Sequence, residues 1–181
     1  MHRFAFALGS AFLLAISPGT ASAKVLEESA TGFLVEQQAE LKTDAKSAYA
    51  AFTNVGAWWD AAHSYTGDAK NMTMDTKPGG CWCETLPNGG FVKHMEVIHA
   101  APGAMLVLSG GLGPLQSMGI AGSMTIRFDA AKDVNVTKVT LRYDVGGRDS
   151  KNFTEISKGV DGVLASQFAR YSSFVTTGKP N

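Results

Sequence analysis

The chain has only two cysteines in 181 residues, too few for the disulfide framework of a small stapled scaffold. It also lacks an excess of either charge. Sixteen Lys and Arg against sixteen Asp and Glu give a formal net charge of zero, so neither the basic footprint of a nucleic-acid binder nor a polybasic lipid patch is present. Past the first stretch of the chain no apolar run approaches the ~20 residues that cross a bilayer, so no integral membrane segment is expected there. Internal repeats and low-complexity linkers are absent, which leaves one domain with its own core. The spacings C-x-x-C and H-x-x-x-H do not occur, and no nucleophile motif is evident. No cofactor and no metal are expected.

What is present begins with a leader pattern. His2-Arg3 precede an apolar run from Phe4 to Ile16, followed by Ser17-Pro18-Gly19 and the small-residue triplet Ala21-Ser22-Ala23. That order marks a secretory signal peptide over residues 1–23, with the mature domain at 24–181 and a periplasmic or secreted destination. The sequence leaves the oligomeric state open.

Between Gly32 and Leu41, apolar Phe33, Val35, Ala39 and Leu41 alternate with polar positions, which predicts a strand. Thr43-Asp44 offers a cap for a helix carrying Ala45, Ala48, Tyr49 and Phe52 and ending near Asn54. An aromatic segment, Trp58 to Tyr65, follows and is read as a turn or short helix on the rim of the sheet. Six strands are predicted next, at 71–76, 81–86, 91–99, 104–110, 122–129 and 137–145, separated by turns rich in Gly, Pro and Asn. From Ile156 to Val175 apolar residues recur at three and four, which predicts an amphipathic helix of about 30 Å, with Asn152 and Glu155 as its capping box. The expected fold is therefore α+β, a curved antiparallel sheet of about seven strands wrapped around a long C-terminal helix. A straight helix does not fill a curved sheet, so a cavity between them is expected.

The segments Ala48-Tyr49-Ala50-Ala51-Phe52-Thr53, Trp58-Trp59, Pro78-Gly79-Gly80 before Glu84, and His94-Met95-Glu96-Val97 before Pro102-Gly103 carry a resemblance. So do Leu112-Gly113-Pro114-Leu115 and Val160-Asp161-Gly162-Val163-Leu164. In this order the chain resembles START-like helix-grip proteins of the SRPBCC superfamily, on the branch related to polyketide cyclases and to the C-terminal domain of the heat-shock chaperone ATPase activator. The resemblance implies an internal apolar pocket and an apolar small-molecule ligand or lipid as partner. It carries over no catalytic residue, so chemistry has to be argued from the site.

Strand parity and helix face nominate Trp58, Trp59, Phe91, Met95, Met105, Met124, Phe128, Tyr143, Phe168 and Tyr171 as pocket walls. His63, with Asp60 placed to orient it, is a candidate acid or base. Glu84 and Tyr143 are further candidates for a cyclase, dehydratase or hydrolase reaction in the same pocket. Cys81 and Cys83, two apart on a strand, would lie ~6.6 Å apart at Cα, near the limit for a bond. They are read as core-facing thiols, a structural disulfide, a redox pair or metal ligands. His94 and Glu96 share one strand face by parity and are read as solvated or hydrogen-bonded. The glycine-rich segment 110–122 is a lid or a plain connector.

Overall fold

A computed structural model describes residues 22–132, 135–148 and 152–181. The leader's apolar run lies outside the described residues, as does part of the expected loop from Ala130 to Asn135. Eight strands form one antiparallel sheet: β1 (Ser22–Ser29), β2 (Gly32–Leu41), β3 (Met72–Met74), β4 (Cys81–Thr85), β5 (Phe91–Ala101), β6 (Met105–Gly110), β7 (Ala121–Ala130) and β8 (Thr137–Gly146). Their order across the sheet is β1-β2-β8-β7-β6-β5-β4-β3. The count corrects the expected seven. The additional strand is β1, whose SAKVLEES sequence lacks an apolar alternation because neither of its faces is deeply buried.

Helix α1 (Ala45–Thr53) is capped by Asp44, whose side chain accepts the Lys46 and Ser47 N–H groups at 3.0 Å each. Helix α2 (Phe153–Thr177) is capped by Asn152, which accepts the Glu155 N–H at 3.3 Å, and ends where Gly178 turns left-handed. Its 25 residues make it about 37 Å long. Buried polar contacts fix where α2 lies. Gln37 Nε2 donates to Asp161 at 2.8 Å, Ser157 donates to Glu28, and the Tyr171 hydroxyl donates to the Ala48 carbonyl at 2.9 Å. The helix is thus pinned over β1 and β2 at its start and against α1 further along.

The two halves of α2 meet different surroundings. Around its C-terminal half, Phe52, Trp58, Phe128, Phe168 and Tyr171 pack ring against ring at centroid distances of 5.2–6.1 Å, and all are buried. The void beside them is about 10 Å³, room for a single water at most. Around the N-terminal half the aromatic packing among the described residues reduces to one pair, Phe33 with Phe153, ring centroids 6.2 Å apart.

The curvature has a local cause in β5. Against β4 the pairing shifts between Trp82↔Met95 and Cys83↔Lys93, leaving His94 as an extra residue. Against β6 it shifts between Val97↔Leu108 and His99↔Val107, leaving Ile98 extra. Two bulges in one strand bend it and re-aim side chains.

Cys81 and Cys83 are joined by a disulfide, with Cα atoms 5.4 Å apart, closer than a fully extended strand gives. They are not core-facing. Trp82 and Glu84 take the inward positions of β4, which turns both cysteines to the half-buried outer face. The double substitution Cys81→Ser with Cys83→Ser is expected to leave the fold intact and cost at most about 2 kcal/mol, since so short a loop constrains the unfolded chain little. Urea unfolding of the variant beside the oxidised protein checks this.

Candidate functional site

A cavity of about 560 Å³ lies between the N-terminal half of α2, the rim segment 59–65 and the loop 112–118. The α2 wall is Ile156, Gly159, Val160, Val163 and Leu164, one face at helical spacing. Gly159 leaves that wall open, since a Cβ there would meet nothing within 4 Å. A helix-interior glycine costs about 1 kcal/mol relative to alanine, so the open space is kept at a cost in stability.

The loop is a fixed wall. The Tyr143 hydroxyl donates to the Gly110 carbonyl at 2.9 Å and accepts the Leu112 N–H at 3.1 Å, while Leu115 and Ile120 are buried. Gln116 Nε2 reaches back to β5, donating to the carbonyls of Lys93 at 2.5 Å and His94 at 3.3 Å. Tyr143 thus anchors the loop; burial pushes its hydroxyl up to about 12, so it stays protonated at neutral pH.

The rim is held from below by Gln167, a buried residue that parity and motif arguments missed. Its Oε1 accepts the Asp60 N–H at 2.8 Å, and its Nε2 lies 3.2 Å from His63 Nδ1. Trp59 Nε1 donates to the His63 carbonyl at 3.0 Å. The Asp60 carboxylate caps the turn Ala61–His63 through the Ala62 N–H, so Gln167, not Asp60, holds the His63 ring. His63 sits exposed at the cavity mouth.

His94 lines the cavity and is paired behind it with Glu84, an arrangement that the first bulge creates. By strand parity His94 shares a face with Glu96. Instead the extra residue turns both His94 and Met95 inward and leaves Glu96 outside, 3.0 Å from Lys93 Nζ. His94 Nε2 then lies 3.1 Å from Glu84 Oε2, with the two residues 2% and 0% exposed. The carboxylate also accepts the Tyr65 N–H at 3.1 Å and the Thr66 N–H at 2.7 Å, which ties the rim to β4. Burial pushes the Glu84 carboxyl up, but the hydrogen bonds from Thr66, Tyr65 and His94 together outweigh it and hold the group below the ordinary value of 4.5. Burial also drives His94 below its ordinary value of 6.5, against the opposing pull of Glu84. A neutral imidazole beside an ionised carboxylate carries its proton on Nε2. Its Nδ1 is then a bare lone pair, and it has no hydrogen-bond partner among the described residues.

Both shifts act in the same direction on stability. The native state resists protonating His94, so stability falls as pH drops below about 6.5, and falls again as Glu84 is protonated below 4.5. Urea unfolding from pH 8 to 4 is expected to show both slopes, and His94→Phe should remove the upper one. A wild-type profile flat from pH 7 to 5 would contradict the buried neutral imidazole.

Of the pocket walls expected from sequence, the structure places Trp59 on the cavity. Trp58, Met95, Met124, Phe128, Phe168 and Tyr171 lie in the packed core, as does Tyr143. Phe91 is 72% exposed, and Met105 lies on the outer face, where its sulfur meets Arg127. Among the described residues no three His, Cys, Asp or Glu side chains cluster as a metal site would need, and no helix is long and apolar enough to cross a membrane.

No protein-family model matches the chain. No curated protein matches it either. Solved structures do. A conserved protein of unknown function from Enterococcus faecalis superposes with a TM-score of 0.59 at 12% identity, covering 87% of this chain and 78% of that one. CalU16 from Micromonospora echinospora gives 0.53 at 12%, covering 91% and 88%. The Aha1 dimer from Colwellia psychrerythraea gives 0.51 at 15%, covering 81% and 98%. At such identities the likeness is one of fold, in keeping with a helix-grip architecture.

Proposed function

We propose that this chain binds an apolar or aromatic small molecule, or a lipid, in the cavity beside the N-terminal half of α2. The observation that carries the reading is the cavity itself. Its volume of about 560 Å³ falls in the range of small-ligand sites, and its walls are mainly Leu, Ile, Val, Met, Pro and Trp side chains. Among the described residues no Lys, Arg, Asp or Glu lines it. Affinity there comes from removing apolar surface from water, about 25 cal/mol per Å².

The branch related to polyketide cyclases and the chaperone activator belongs to this proposal, as does export. The leader pattern at residues 1–23 supports export; cleavage after Ala23 would shorten β1 by two residues and keep its pairs from Lys24↔Glu36 onward. A second reading, a cyclase, dehydratase or hydrolase reaction in the same cavity, is favoured by His63, an exposed imidazole at the cavity mouth that can serve as acid or base.

Native mass spectrometry of protein purified from its own host tests the first reading. One co-purified apolar molecule per chain is expected. A protein that carries none, and whose mass is unchanged after incubation with host lipid extract, would argue against carriage.

A further inference from the structure

The inward stripe of α2 runs through Ile156, Val160 and Leu164 and then, three residues on, reaches Gln167, which is 1% exposed. A buried amide costs stability unless its polar atoms are paired, and both ends of this one are. Oε1 accepts the Asp60 backbone N–H at 2.8 Å, and Nε2 lies 3.2 Å from His63 Nδ1. The first contact fixes how the amide is turned. A backbone N–H can only donate, so the atom facing it is the carbonyl oxygen and the atom facing His63 is the NH2. The NH2 can also only donate, so it requires a lone pair on Nδ1. A neutral His63 ring therefore carries its proton on Nε2.

The backbone of His63 is tied down as well. Its N–H donates to the Asp60 carbonyl at 2.9 Å and its carbonyl accepts Trp59 Nε1 at 3.0 Å. The exposed part of the residue is then the ring edge turned away from Gln167, which includes Nε2. That nitrogen has no hydrogen-bond partner among the described residues, and His63 lines the cavity at its mouth.

We infer that Gln167 is a positioning residue that holds His63 in the Nε2–H tautomer, and that the ligand is an apolar molecule with a carbonyl oxygen at the mouth, which accepts that hydrogen bond. The inference rests on the ligand-binding reading above and deepens it by naming the head group. The hydrocarbon body enters the chamber while the carbonyl stays at the wet rim, so no polar group of the ligand is buried unpaired.

The test has two arms. Nitrogen-resolved NMR of the histidine rings at pH 8.5, on the full folded protein without ligand, reads the tautomer. Wild-type His63 is expected to be protonated on Nε2 with Nδ1 bare, and Gln167→Glu, whose carboxylate accepts where the amide donated, should place a proton on Nδ1. A mixture of tautomers in wild type, or a bare Nδ1 in folded Gln167→Glu, would overturn the positioning role; should Gln167→Glu not fold, the wild-type spectrum decides alone. The second arm is titration calorimetry with 2-acetylnaphthalene and 2-isopropenylnaphthalene, which share a shape but differ in C=O against C=CH2, on wild type and on His63→Phe at the exposed rim. The ratio of ketone to alkene affinity is expected to fall at least threefold in His63→Phe. A smaller fall, with both probes bound, would overturn the carbonyl assignment and leave the apolar site standing. Failure of both probes to bind wild type would remove the ligand-binding reading and the head-group assignment together.

Discussion

Glu84→Ala is expected to lower the unfolding free energy by about 3 kcal/mol, a fall in Tm of roughly 10 °C for a domain of this size. One carboxylate accepts three hydrogen bonds, from Tyr65, Thr66 and His94, and truncating it leaves the His94 Nε2–H buried without a partner. The tie between β4 and the rim is cut at the same time. Lys93 with Glu96, a pair of similar length but about half exposed on each side, provides the contrast. Lys93→Ala should cost less than about 1 kcal/mol, because solvent screens the pair. Thermal and urea unfolding of both variants checks the ranking. A Glu84→Ala protein as stable as Lys93→Ala would mean that Gln167 and Trp59 hold the rim without help from Glu84.

Gly159→Phe is expected to have the opposite profile, abolishing most ligand binding while keeping or raising stability by about 1 kcal/mol. The position lies mid-helix in α2 on the cavity wall, where an added side chain meets open space. Phenylalanine has a better helix propensity than glycine, and its ring would enter the chamber that Val160, Val163 and Met118 also line. Affinity for an apolar probe should fall at least tenfold because the ring takes the ligand's place. A core substitution separates the two properties from the other side. Phe128→Ala, in the aromatic cluster with Tyr49 and Phe52, should cost about 3 to 5 kcal/mol with little change in probe affinity for the protein that remains folded.

Most of the architecture is legible in the residues because periodicity reports burial. The alternation in Gly32–Leu41 and the three-and-four spacing along α2 arise from the same contacts that stabilise those elements. β1 escapes that logic, since a strand with little buried surface leaves no alternation. The cavity was legible as a mismatch between curved sheet and straight helix, but its position was not. Parity places Met95, Met124 and Phe128 inward correctly, yet inward is not the same as cavity-lining. The aromatic cluster fills the space near Phe168 and Tyr171, and the chamber opens one helical half away, at Ile156, Gly159 and Val163. The imidazole at its wall was hidden by the β5 bulge, which moves His94 to the face opposite the one parity assigns and leaves no composition signal of its own. One trace existed: a glycine at a strand end often marks a close backbone approach, and Gly110 lies against the His94 carbonyl.

The central claim is that an apolar ligand occupies the chamber beside the N-terminal half of α2, and methyl-resolved NMR titration with naphthalene tests it most directly. Saturable shifts are predicted at Leu115, Met118, Ile156, Val160 and Val163, with Met105 and Ile98 on the outer surface unmoved. Shifts confined to Ile98 and Met105, or no saturable shift at the α2 wall, would contradict the account.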